Sequence, residues 1–72
     1  MMHVPVLLIR ILRVDGKNLV FLDNQHPTEE KKLPLAESCH VVANRLQKYQ
    51  LCKATVHDGT IIDLVRMPTK GG

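Results

Sequence analysis

The chain has 72 residues, of which 44% are hydrophobic and 24% charged, and it carries a net charge of +3. That is one small domain at most, since domains run to about 100–150 residues, and the composition is that of a folded chain. Together these numbers argue against a large enzyme, a multidomain receptor or a disulfide-dense toxin. The two aromatics are Phe21 and Tyr49.

The first element spans Val4 to Val14, a run rich in β-branched residues that reads as a strand. Its apolar part, Val4–Leu12, is broken by Pro5 and Arg10 and lacks the basic start and small-residue cleavage site of a secretory signal. It also falls short of the roughly 20 apolar residues of a membrane span. We therefore expect a cytoplasmic protein whose thiols, Cys39 and Cys52, stay reduced. Asp15-Gly16 follows, then the apolar run Lys17–Asp23; Asp-Gly between two such runs signals a tight hairpin. Asn24–Lys32 is polar, contains Pro27 and reads as a loop, with room for a short strand at Lys31–Leu35.

Leu35, Cys39, Val42, Leu46 and Tyr49 then step by four, three, four and three, which predicts a helix over 35–49 with those residues on one face. Pro34 suits its first turn, and Arg45 and Lys48 complement the dipole near its end. Cys52–His57, Asp58-Gly59 and Thr60–Met67 repeat the hairpin pattern, and Pro68 ends the last strand. The predicted fold is α+β with order ββαββ. Two Asp-Gly hairpins form a four-stranded, mainly antiparallel sheet with one helix on one face, β-grasp-like in outline. The alternative is a small, partly closed β-barrel with one helix. Residues 1–67 make the domain and 68–72 a flexible tail.

Pairing the strands outward from Val14 opposite Lys17 places Leu8, Leu12, Val14, Leu19 and Phe21 on one face, with Arg10 opposite Phe21. Leu7, Ile9, Ile11, Val20 and Leu22 occupy the other. In the second hairpin Ile62, Leu64 and Arg66 share a face. Both sides of the sheet are apolar, whereas one helix covers only one side. The helix-free face, with Leu8, Arg10, Leu12, Leu19, Phe21, Ile62, Leu64 and Arg66, is thus the candidate partner-binding surface. A homodimer is its simplest use. The expected function is a non-enzymatic protein-interaction or regulatory module. A nucleic-acid binder using Arg10, Arg13, Lys53 and Arg66 beside Phe21 is the alternative, which the dispersed charge does not favour by itself.

Catalytic chemistry has little support. Cys39 and His40 are neighbours on a helix, so their side chains diverge by about 100°. Cys39, Cys52, His40 and His57 have no zinc-ligand spacing. Carboxylates paired at a site spacing and a glycine-rich phosphate loop are missing from the sequence, and neither cofactor nor metal is expected.

The chain ends Pro68-Thr69-Lys70-Gly71-Gly72. A hairpin, a helix, further strands and a terminal Gly-Gly resemble the outline of ubiquitin-like and sulfur-carrier β-grasp proteins. The resemblance implies that Gly71 and Gly72 thread a narrow channel so that the last carboxylate can be adenylated. Only 22 residues follow Gln50, fewer than such chains carry after the helix, so the carrier ranks as the second alternative. The ββαββ order also resembles compact immunoglobulin-binding β-grasp domains, which are interaction modules.

Overall fold

The computed structural model describes residues 5–68. Its elements in chain order are β1 (Val6–Asp15), β2 (Asn18–Asp23), β3 (His26–Pro34), α1 (Glu37–Arg45), β4 (Leu51–His57) and β5 (Thr60–Arg66). They form one open five-stranded sheet in the order β3-β2-β1-β4-β5, with every neighbouring pair antiparallel. The class is α+β, as the sequence suggests, but there are five strands, and three of them precede the helix. The first four make a Greek key: three strands joined by hairpins, and a fourth that returns through α1 to lie beside the first. The terminal glycines Gly71 and Gly72, and the rest of the tail from 69 onward, lie outside the described residues.

The additional strand is β3, in the stretch that reads as a loop. It is an edge strand, exposed along nearly its whole length, so it needs no apolar alternation. Its pairing to β2 jumps from Leu22↔Glu30 to Asp23↔His26, and Pro27 sits in the unpaired gap. The β2–β3 turn is held by Asp23, whose Oδ1 accepts from the Gln25 backbone N–H at 2.9 Å. That hydrogen bond, with Lys31 Nζ at 3.5 Å, holds the Asp23 carboxyl below its ordinary pKa.

Both Asp-Gly hairpins form. In the second, Asp58 and Gly59 are the two central residues, with φ of 51° and 73°, as a type I′ turn requires. In the first, the loop is Gly16-Lys17 and Asp15 pairs with Asn18. Only the first central residue, Gly16, has positive φ, at 61°, the type II′ pattern. Moving the loop by one residue shifts the register by two and leaves the faces unchanged.

The faces change instead at two β-bulges. Ile11 pairs with Phe21 and Arg13 with Val20, so Leu12 is an extra residue; Val56 pairs with Ile61 and Thr55 with Asp63, so Ile62 is another. Each bulge turns over the strand beyond it. Ile9 and Ile11 thereby join Leu19 and Phe21 on one face, and Leu64 joins Ile61, Cys52 and Ala54 there. Leu19, Phe21 and Leu64, expected on the open face, are therefore core residues, 0%, 0% and 4% exposed.

The helix is shorter than its periodicity predicts, 37–45 rather than 35–49. It buries Cys39 and Ala43, while Val42 is exposed and Tyr49 lies beyond the helix. The helix packs chiefly along β5. Its entry is fastened at both ends of the sheet: the Leu35 N–H donates to Lys17 O and the Ala36 N–H to Ile61 O, both at 2.8 Å. Leu35 also forms a parallel bridge with Ile61, so β3 and β5 approach at one point and α1 fills the space beyond. The core thus lies inside a curled sheet, between its inner face and the helix.

Candidate functional site

The outer face of the sheet has two unlike halves. Over β2 and β3 it is closed by charged side chains. Arg13 reaches across β2 to Glu30 at 3.6 Å, and Lys32 meets Asp15 at 3.2 Å. Each exposed pair is worth little by itself, about 0–1 kcal/mol. Their stems, however, overlie Val20, which is only 3% exposed although it points away from the core.

The other half, over the start of β1 and the strands β4 and β5, is open and mixes apolar with polar side chains. Register places Leu8, Lys53 and Val65 in one row and Val6, Thr55 and Asp63 in the next. Val6, Leu8 and Val65 are 51%, 42% and 44% exposed. A shallow pocket of about 240 Å³ adjoins this patch, lined by Val6, Leu7, Leu8, Asp23, Asn24 and Gln25.

The structure thus divides the predicted surface. Leu8, Ile62 and Arg66 are exposed, and Arg10 and Leu12 are half-buried. Leu8 and Arg10 lie on the outer face, Leu12 and Ile62 are the bulge residues, and Arg66 pairs with Cys52 on the inner side. Arg10 does not lie over Phe21: it pairs with Leu22 and Leu51 on the opposite face. The basic set Arg10, Arg13, Lys53 and Arg66 does not gather around an aromatic ring either, because Phe21 is interior and Arg13 is engaged by Glu30.

A second feature lies where α1 meets β4. After Leu46 the chain turns back at Tyr49, whose φ is 69°. The Tyr49 N–H donates to Ile11 O at 2.6 Å, the Ile11 N–H donates to Gln50 O at 3.2 Å, and the Arg10 guanidinium donates to Tyr49 O at 3.1 Å. This leaves the Tyr49 ring 55% exposed, with Lys48 Nζ 5.3 Å from its centroid. The same α1–β4 turn supplies Gln47 and Gln50 to a groove of about 390 Å³, whose other lining residues are Val42, Arg45, Leu46 and Arg66. The Gln50 side-chain amide donates to Leu51 O and Met67 O, so its carbonyl remains available as an acceptor. Reading Tyr49 as a helix-face residue hid this feature. The usable signal is that no Asp or Glu occurs between Ser38 and His57.

Cys39 and Cys52 are free and buried, and burial raises both thiol pKa values, which disfavours the reactive thiolate. Among the described residues no three His, Cys, Asp or Glu side chains are placed to hold a metal ion, and no helix is long and apolar enough to cross a membrane. Compared with protein-family models, with curated proteins and with solved structures, the chain matches none.

Proposed function

We propose that this chain is a non-enzymatic interaction module that pairs with a second copy of itself through the open half of its outer sheet face. The observation that carries the reading is the exposed patch of Val6, Leu8 and Val65, set directly beside a face that elsewhere is closed by ion pairs. Across its two rows the apolar Val6, Leu8 and Val65 are interleaved with Lys53, Thr55 and Asp63, a mixed surface of the kind that non-obligate interfaces bury. A second copy is the favoured occupant because the patch carries both signs of charge. Lys53 lies in one row and Asp63 in the next, so a two-fold axis between the rows sets the lysine of each protomer against the aspartate of the other.

Association through the edge of β5 is less favoured than association through the face. The Ile62 bulge interrupts that edge, and Asp63 Oδ1 already accepts from the Leu64 N–H at 3.0 Å. We retain the cytoplasm as the proposed location.

The test is sedimentation velocity over a concentration series. The wild type is expected to pass from monomer to dimer, and Leu8→Glu or Val65→Glu to remain monomeric with an unchanged circular-dichroism spectrum. A wild type that stays monomeric at the highest concentration refutes the proposal. Asp63→Lys is expected to weaken association and Lys53→Asp combined with Asp63→Lys to restore it.

A further inference from the structure

From the geometry around Tyr49 we infer a binding site for single-stranded nucleic acid, separate from the apolar patch. Three observations converge on it.

The first is charge. Arg45 and Arg66 line the groove, Lys48 stands over the Tyr49 ring, and Arg10 is hydrogen-bonded to the Tyr49 carbonyl. Among the described residues no acidic side chain lines the groove. Arg13, Lys31 and Lys32, by contrast, are each matched to a carboxylate. The second is the ring. A tyrosine left 55% exposed by a left-handed turn, with its backbone clamped on both sides by β1, is a rigid stacking platform. Base–aromatic stacking beside a positive groove is how single strands are held without sequence readout. The third is the groove itself. Its volume of about 390 Å³ suits one nucleotide unit, and Gln47 and Gln50 offer amide groups to a base edge.

In this arrangement one base stacks on Tyr49 and the next enters the groove, with the phosphates held by Lys48, Arg45 and Arg66. Duplex is disfavoured because its bases are already stacked and unavailable to the ring.

The experiment is fluorescence anisotropy with a labelled oligothymidylate and oligouridylate of about a dozen nucleotides. With three cations engaged, log K is expected to fall against log salt with a slope of about −2, so a fourfold rise in salt weakens binding about twentyfold. Tyr49→Ala is expected to weaken binding about tenfold and Tyr49→Phe to preserve it. Arg45→Gln combined with Arg66→Gln is expected to flatten the slope by about 1.4. These residues lie outside the core, and circular dichroism of each variant verifies the fold. Absence of binding at low salt overturns the inference. So does equal affinity for duplex or heparin, or a Tyr49→Ala variant that binds as the wild type does, since each reduces the site to a non-specific basic surface. Leu8→Glu is expected to leave oligonucleotide binding unchanged, so this site and the dimer stand or fall independently.

Discussion

The bulge at Ile62 decides which of two adjacent residues, Leu64 or Val65, belongs to the core, and a pair of substitutions measures it. With the bulge, Leu64 is 4% exposed against Ala54 and Val65 is 44% exposed. Without it the two would exchange faces. Leu64→Ala removes a buried side chain and is expected to cost about 2–5 kcal/mol. Val65→Ala acts at an exposed position and is expected to stay within about 0.5 kcal/mol in the monomer. The domain has 72 residues, and at about 0.05–0.15 kcal/mol per residue its whole stability is about 4–11 kcal/mol. The first substitution therefore removes a large share of the folding free energy. Urea unfolding below the association range reads both, with the midpoint moving and the slope held. In a thermal scan each kcal/mol corresponds to about 4–8 °C for a domain this size. A Val65→Ala loss equal to or larger than the Leu64→Ala loss would refute the bulged register, and with it the assignment of Val65 to the interaction patch.

Other consequences are equally direct. The lowered pKa of Asp23 means that its contribution is complete above the ordinary carboxylate value and is lost as pH falls through the folded value; a carboxyl NMR titration is expected to show Asp23 titrating below the ordinary aspartate value. Cys39 and Cys52 are expected to react slowly with a thiol reagent at neutral pH and rapidly once urea unfolds the chain. Gly59→Ala meets no neighbouring atom within 4 Å, so its cost is conformational and is expected to be about 1 kcal/mol from the positive φ of 73°. Phe21→Glu, at a fully buried position, is expected to abolish folding rather than association, as lost near-ultraviolet and far-ultraviolet signals would show.

The hairpins, the helix and most core residues are legible in the sequence because each leaves a local signature. Asp-Gly marks the turns, and a spacing of three and four marks Leu35, Cys39 and Leu46. What escapes has no such signature. A bulge is a property of a strand pair, and nothing about Leu12 or Ile62 taken singly announces one. β3 escapes because an edge strand can be polar on both sides, so Glu29-Glu30-Lys31-Lys32 looks like loop while in fact completing the ladder to β2. The helix face is misread by one position because Val42 outranks Ala43 in hydrophobicity, whereas the close packing along β5 admits the smaller side chain. The candidate interaction surface inherits these errors, since it depends on knowing which side of each strand faces inward.

The Leu35–Ala36 clasp also bears on how the chain reaches this structure. Each hairpin closes between residues near one another in sequence, a microsecond event. The clasp joins Lys17 to Leu35 and Ala36 to Ile61, and the β1–β4 ladder joins Ile9 to Cys52, so these bonds form only after distant segments have met. Folding is then expected to be limited by the docking of two preformed halves rather than by either half. Substitutions near the Asp58-Gly59 turn, already closed at that barrier, would slow folding, while those at Leu35 would divide their effect between folding and unfolding. A single short junction between strand and helix thus sets the tempo at which the whole molecule assembles.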